Sequence, residues 1–184
     1  LGYSTGFDNP KDNYLPKHID GKHTSVTRAV NIASEEKGML IIVSAGNDGQ
    51  NSFKVLSAPG DAQGVLTVGA TNFKTWDKTN YSSIGPESLG FLKPNVSCFA
   101  FNGTSFSAPV ITGLAACIMQ LNDSLTNDDV ISIIERSSHL FPYGNNYVGY
   151  GVPSCKKVYQ IVTKEDNNKD NQVKIIRSRK NRIR

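Results

Sequence analysis

The feature that most constrains this chain is a short polar turn followed at once by an apolar run. Asn102–Pro109 reads Asn-Gly-Thr-Ser-Phe-Ser-Ala-Pro, and Val110–Met119 follows without a charged residue. The pattern predicts a helix from about Ser105 to Leu121. Ser105 then falls near the helix N-terminus, where backbone N–H groups point outward and the dipole favours negative charge. A serine so placed can attack a carbonyl while its own N–H helps hold the oxyanion. The alternative is a Ser/Thr cap before a core helix.

A second stretch has the same combination of buried element and polar turn. Met39–Ser44 is an unbroken apolar run, and Ala-Gly-Asn-Asp-Gly follows it. Apolar runs without alternation are typical of strands buried on both faces of a parallel sheet. Ligands of open α/β sheets bind at the carboxyl ends of such strands, so the Asn47 amide could donate to a developing oxyanion. Alternatively, the Asn-Asp-Gly sequence serves only the turn conformation.

The remaining apolar patterns alternate between helix and strand. Thr24–Lys37 predicts a helix with Val26, Ala29, Val30 and Ala33 on its buried face, and Val65–Ala70 predicts another short strand. Helix and strand in this order favour right-handed crossovers onto a parallel sheet. The predicted fold is therefore α/β, with a parallel sheet and helices on both faces.

Charge is distributed unevenly along the 184 residues. The net charge is +4, but residues 164–184 hold eight Lys/Arg and three Asp/Glu, a net of +5, so the other 163 residues sum to −1. A body without a basic surface gives little support to a nucleic-acid role. The composition predicts one domain over 1–162 and, over 163–184, a polar and basic linker or the start of a following segment. No apolar run reaches the roughly 18 residues of a membrane-spanning helix.

Cysteines and histidines offer little chemistry by themselves. The three cysteines are an odd number, and none has a partner at metal-ligand spacing. Cys117 and Cys155 are predicted to be small core residues, whereas Cys98 falls in a likely strand. His18 and His23 lie in a polar stretch from Asp8 to His23, which we interpret as a long surface loop.

The two polar turns resemble those of the subtilisin-like serine proteases, the subtilases of peptidase family S8. Gly103-Thr104-Ser105 with Ser107 and Pro109 is similar to Gly-Thr-Ser-x-Ser/Ala-x-Pro, and residues 45–49 to Ala-Gly-Asn-x-Gly, in the family order. The resemblance implies that Ser105 is the nucleophile and that Asn47 completes the oxyanion hole. It implies a protein or peptide as substrate.

The resemblance also implies a substrate cleft. Leu1-Gly2 resembles the end of the family's Ser-Leu-Gly stretch, which pairs with the substrate backbone. Leu1, Gly2, Ser44, Ala45 and Gly46 are then the substrate-binding residues. The family is mostly secreted, which implies an extracellular, periplasmic or cell-surface location. Calcium often stabilises the family, although no ligand cluster can be identified in this sequence.

Two motifs of the family are absent from this sequence. No Asp is followed by Thr-Gly or Ser-Gly, and no His is followed by Gly. Serine acyl transfer needs a base and a carboxylate that orients it. The chain thus resembles the C-terminal half of a subtilase catalytic domain, inactive alone, with an N-terminal half as the partner that carries Asp and His. The alternative is a non-catalytic binding or scaffold module with the same fold.

The sequence departs from the family before the nucleophile. An Ala-Pro-Gly segment, a loop and a strand normally stand there, but Cys98-Phe99-Ala100 runs directly into Phe101-Asn102-Gly103. Either the loop is lost, or residues are missing between Ala100 and Phe101. Missing residues are favoured, because so short a connection leaves little room to return from a strand to a helix.

Overall fold

The computed structural model describes residues 2–164, which form a three-stranded parallel sheet with helices around it. The strands are β1 (Ile42–Ser44), β2 (Leu66–Thr71) and β3 (Val96–Phe99), hydrogen-bonded in the order β1-β2-β3. Both pairs are parallel, with Ile42 opposite Leu66 and Val68 opposite Val96. All three strands therefore end at one edge of the sheet, as the predicted α/β class requires.

Three helices are bounded within the described chain, α1 (Ser25–Glu35), α2 (Ser107–Leu121) and α3 (Asn127–Ser137), and residues 155–164 are also helical. The hydroxyl of Thr126 caps α3 by accepting from the N–H of Asp129, whose carboxylate accepts from Thr126 in return. This reciprocal cap stops the chain from fraying at that end. None of the helices within residues 2–164 is long and apolar enough to cross a bilayer.

The two faces of the sheet pack against different helices, which confirms the predicted arrangement. On one face, the larger core consists of residues from β2, β3, α2, α3 and the last helix: Leu66, Val68, Val96, Cys98, Ile111, Ala115, Ile118, Val130, Ile133, Ile134, Val158 and Val162. On the other face, a smaller cluster joins Val43 of β1 to Ala62 and Val65, with Val30 of α1 against it. Alternate residues of β1 thus pack into the cores on the two faces of the sheet.

The region around β1 and α1 is less buried than the sequence predicts. Ile42 and Ser44 are only half-buried, Ala29 is exposed and Ile32 is 49% exposed. Within residues 2–164, β1 pairs with β2 alone, so its other edge has no neighbouring strand. The prediction that β1 is buried on both faces was therefore wrong, because no described element lies over this edge. On the predicted face of α1, Val26 and Val30 are half-buried and pack against core clusters, whereas Ala29 is exposed.

The cysteine predictions also need correction. Cys117 and Cys155 are exposed, since α2 presents Ile111, Ala115 and Ile118 to the sheet and Cys117 lies off that face. Cys98 is buried in β3, and burial raises the pKa of its thiol to about 11. The Cys98 Sγ donates to the carbonyl of Ser107 at 3.4 Å. Each thiol is free within the described residues.

The stretch from Asp8 to His23, which we call the insertion, is a mostly exposed loop, as predicted, and contacts within the chain hold it in place. It contains two short 3₁₀ turns, Pro10–Asp12 and Pro16–His18, and Ile19 is fully buried. The buried carboxylate of Asp61 accepts from the N–H of Gly21 at 2.8 Å and from the hydroxyl of Thr27 at 2.7 Å. These bonds fix the end of the insertion to the start of α1.

Lys93 is the largest fully buried side chain. Its ammonium donates to the carbonyl of Val65 at 2.6 Å, to the hydroxyl of Thr67 at 3.1 Å and to Oδ1 of Asn95 at 2.9 Å. Burial lowers the pKa of Lys93 to about 7, although the carboxylates of Glu135 and Asp61 attract the charged form. The side chain links the loop before β3 to β2, and holds a proton less tightly than it does in the unfolded chain.

We expect this lysine to make stability depend on pH. Between pH 7 and 9 the unfolded chain keeps the Lys93 proton while the folded chain loses it, so the free energy of unfolding rises with pH. The contribution is at most about 1.4 kcal/mol per pH unit. Urea unfolding at pH 7 and 9 measures it, with Lys93→Met as the comparison. Equal pH dependence in the two proteins would contradict the assignment.

Candidate active site

The turn before α2 presents Ser105 at the end of the sheet where the strands finish. Gly103 has φ +104, a left-handed conformation that side chains disfavour. The chain then tightens into the helix, as the N–H of Phe106 donates to Gly103 at 3.1 Å and that of Ala108 to Thr104 at 3.1 Å. Ser105 is exposed and lies two residues before the first residue of α2. Its position agrees with the predicted one near a helix N-terminus.

Asn47 is tied directly to this turn. Its Oδ1 accepts from the backbone N–H of Thr104 at 2.9 Å and from the Thr104 hydroxyl at 3.1 Å. The same hydroxyl accepts from the N–H of Gly46 at 3.1 Å. With both lone pairs of Oδ1 engaged, the side-chain amide is oriented and its Nδ2 remains the end that can donate to a bound oxygen. A Cβ built on Gly103 would lie 3.4 Å from that Nδ2.

Thr104 is the functional residue that sequence reasoning missed. It stands next to Ser105 in the Gly-Thr-Ser turn, where a threonine is easily taken for a helix cap. Its side chain is buried and bridges the two polar turns, which are 57 residues apart in sequence. A hydroxyl beside the candidate nucleophile was the available signal in the sequence, but the partner of that hydroxyl depends on the tertiary fold.

Three of the five predicted substrate-binding residues, Gly2, Ala45 and Gly46, lie against Ser57. Tyr3 pairs with Ala58 through two backbone hydrogen bonds of 2.8 and 2.9 Å. This pairing places Gly2 against Ser57, since a Cβ built on Gly2 would lie 3.0 Å from the Cβ of Ser57. On the other side, the Cβ position of Gly46 would meet the Ser57 hydroxyl. The backbone segments at Gly2 and Ala45–Gly46 thus face Ser57 from two sides. Leu1 lies outside the described residues.

Ser44 lines a separate cleft with the candidate nucleophile. The cleft has a volume of about 320 Å³ and lies between α1, β1 and α2. Its lining includes Ser105, Ser44, Val30 and Pro59. It opens along the free edge of β1, so it is bounded on that side by no described strand.

Two hydrogen bonds hold the short connection before Gly103. The N–H of Ala100 donates to the carbonyl of Thr71 at 3.4 Å, and the hydroxyl of Tyr81 donates to the carbonyl of Ala100 at 2.7 Å. In the described chain β3 leads directly into the turn before α2. Residues missing after Ala100 stay a prediction on the family pattern alone. The connection leaves Phe101 90% exposed and Phe106 64% exposed.

The three histidines are engaged away from the candidate nucleophile. His139 accepts from the N–H of Val152 at 2.9 Å and its ring lies 4.7 Å from that of Trp76. His18 stacks on His23 with ring centroids 4.3 Å apart. Burial and the neighbouring charge of His23 lower the pKa of His18. Within residues 2–164, no histidine hydrogen-bonds Ser105.

No group of three or more His, Cys, Asp or Glu side chains in residues 2–164 is arranged to hold a metal ion. Calcium binding therefore remains an expectation from the family resemblance.

A serine at a helix N-terminus, beside an oriented amide at the end of a parallel strand, defines the class of α/β hydrolytic sites that combine a nucleophile with an oxyanion hole. The family model of the subtilases, peptidase family S8, matches residues 3–172. The chain belongs to the subtilase family, a family of serine proteases.

Individual relatives agree with this membership. Mycosin-1 of Mycolicibacterium smegmatis is 33% identical over 75% of this chain and 39% of its own length. Subtilisin E of Bacillus subtilis is 30% identical over 67% of this chain and 34% of its own length. The chain therefore spans between one third and two fifths of these curated relatives.

Solved structures extend the comparison to the fold. The structure of MycP1 from the ESX-1 type VII secretion system is 27% identical, with a TM-score of 0.59 over 74% of this chain and 46% of that one. A protease from Pseudoalteromonas arctica has the same TM-score at 22% identity, which bears on the fold alone. The likeness confirms the subtilisin-like sheet and helices.

Proposed function

We propose that the chain supplies the nucleophile half of a serine endopeptidase. The observation that carries the proposal is the Thr104 bridge, which locks the Asn47 amide against the turn that bears Ser105. A scaffold would need neither an exposed serine nor an amide held with its donor end free. The bridge instead provides what acyl transfer demands, a donor fixed before the reaction begins.

The chemistry follows the residues present. The Ser105 Oγ attacks the scissile carbonyl of a protein or peptide, and its proton passes to a base supplied by a histidine outside this sequence. The Asn47 amide and the Ser105 N–H donate to the carbonyl oxygen as it becomes an oxyanion. The amine leaves with the proton, and water then hydrolyses the acyl-enzyme on Ser105 by the same route in reverse.

The partner that carries the Asp and His is the N-terminal half of the catalytic domain. The free edge of β1 supports this proposal, because a strand edge with unpaired N–H and C=O groups is a template for another strand. A second cleft, of about 440 Å³, lies beside that edge between Met39–Ile42 and the outer face of α2, including Met119. A strand and an apolar helix would cover both.

The location and substrate follow from the family. We infer an extracellular, periplasmic or cell-surface location, supported by the subtilisins among its relatives. The substrate is a polypeptide whose acyl side lies against Gly2 and Ser44–Gly46.

A fluorophosphonate probe followed by mass spectrometry tests the proposal. We expect the intact parent protein to be labelled on Ser105, and this chain to be labelled only after addition of the N-terminal half. Substituted Asp and His motifs in the parent gene, with no labelling of the parent, would favour the scaffold function. Labelling of the isolated chain would show that a base lies within it and would refute the division proposed here.

A further inference from the structure

The insertion follows the segment that contains Gly2 and Tyr3 and precedes α1. It forms one side of an open cleft of about 550 Å³. Its near side includes Pro10, Lys11, Tyr14 and Leu15, and its far side is the segment Asn51–Phe53. We refer to this space as the insertion cleft. Its size is in the range of cavities that hold small ligands or several side chains.

The two sides of the insertion cleft are formed by residues that follow closely in sequence after the proposed substrate-binding segments at Gly2 and Gly46. Thr5 lines the cleft and lies two residues after Tyr3, whose pairing with Ala58 positions Gly2. On the far side, Asn51 follows the Asn47 turn, and its side-chain amide donates to the carboxylate of Asp48. The cleft thus adjoins, along the chain, both backbone segments that face Ser57, so a polypeptide whose acyl side lies along these segments can extend into it.

The near side is held in place by contacts within the chain. The N–H of Tyr14 donates to Ser4 at 2.9 Å, and the N–H of Phe7 donates to the side chain of Asn13 at 3.1 Å. The rings of Phe7 and Tyr14 pack edge to face at 5.5 Å. Together with the Asp61 anchor described above, these contacts mean that a ligand meets a surface ordered in advance, which lowers the entropy cost of binding.

The lining defines the chemistry of the ligand. Two prolines, Leu15 and the edge of the otherwise buried Phe53 give an apolar bed, and Leu15 is 49% exposed. Lys11 is exposed and lines the cleft with His18. No aspartate or glutamate is among the lining residues, although the Asp48 carboxylate accepts from the lining Asn51. Such a surface favours an apolar side chain with a carboxylate nearby and disfavours a lysine or arginine at that place.

We propose that the insertion cleft is an accessory subsite that binds the acyl-side extension of the substrate, at an apolar residue neighboured by an acidic one. The inference rests on the proposed protease function and deepens it. It assigns the insertion to substrate selection, a role that neither the nucleophile nor the oxyanion donors can fill.

The test uses the intact parent protein and two sets of chromogenic peptides. Short peptides carry only the residues next to the cleaved bond. Long peptides add an acyl-side extension that contains leucine beside either glutamate or lysine, scanned over successive positions. We expect one position at which kcat/KM is higher for glutamate than for lysine, by about two- to fivefold, the size typical of exposed charge pairs.

Matched variants assign that preference to the cleft. Lys11→Glu should reverse it, whereas Lys17→Glu, an exposed lysine of the same insertion that does not line the cleft, should retain it. Leu15→Asp should lower kcat/KM for the long peptides by about tenfold through lost apolar contact and added repulsion. All variants should hydrolyse the short peptides as the parent does, with fluorophosphonate titration giving the concentration of active protein.

Two outcomes distinguish failure of the proposed subsite from failure of the proposed protease function. Hydrolysis of short peptides with no dependence on the extension, or with equal effects of Lys11→Glu and Lys17→Glu, would overturn the subsite and leave the protease function standing. Hydrolysis of neither set by the parent would overturn the protease function and the subsite with it.

Discussion

Ser105→Ala will abolish peptide hydrolysis by the parent protein and prevent its labelling by a fluorophosphonate. The alanine removes the only atom that can form the acyl bond, and in subtilisins loss of the nucleophile lowers kcat by about 10⁶. The fold should be unchanged, because Ser105 is exposed and the turn is held by Gly103 and Thr104. Active-site labelling with parallel peptide kinetics measures the effect.

Ser25→Ala is the control, since Ser25 is an exposed serine at the start of α1 and should leave both readouts unchanged. Residual labelling of Ser105→Ala on another serine would contradict the assignment. So would hydrolysis within tenfold of the parent, because no other part of the site can replace a covalent nucleophile.

Asn47→Leu will lower kcat by about 10² to 10³ with little change in KM, the effect typical of losing one oxyanion donor. The amide matters only when the carbonyl oxygen becomes charged, so ground-state binding of the peptide should be retained. Asn47→Asp should cost at least as much. It keeps the oxygen that accepts from Thr104 but replaces the donor with a negative charge.

The substitution Thr104→Val distinguishes the orientation of the Asn47 amide from its donation of a hydrogen bond to the oxyanion. It removes the hydroxyl that bridges Gly46 and Asn47, while the backbone N–H of Thr104 still holds Oδ1. We expect a smaller loss of kcat than for Asn47→Leu, since the amide remains present but is less firmly oriented. If kcat/KM of any of these variants falls mainly because KM rises, Asn47 binds the substrate rather than the oxyanion.

Local patterns predicted much of the fold and the two polar turns. The unbroken apolar run before Ala45 and the Gly-Thr-Ser turn before α2 are short-range signals, and each determines its element without help from distant residues. The same holds for the Thr126 cap of α3. A parallel sheet places the turn with Asn47 at the carboxyl ends of the strands, and the resemblance to the subtilases implied that Ser105 lies there too.

The features that the sequence could not predict depend on tertiary contacts. Thr104 finds Asn47 across 57 residues, and Asp61 holds Gly21 across 40. The burial of α1 was overestimated because periodicity marks an apolar face but not whether anything covers it. Cys117 was misplaced for a related reason, since a helix that is apolar on most sides gives no sign of which side meets the sheet.

The open side of β1 also bears on how the chain behaves in a test tube. An edge strand with free N–H and C=O groups can pair with another copy of itself, and natural proteins usually guard such edges with charge, proline or a cover. Here the neighbouring surface offers the exposed side chains of Ile32, Met39 and Met119. The chain has a net charge of +4, but residues 1–163 contribute only −1 of it, so the repulsion between the folded parts of two copies is weak. Concentrating the isolated chain therefore drives it toward self-association and precipitation, and co-expression with a complementary strand is the physical remedy.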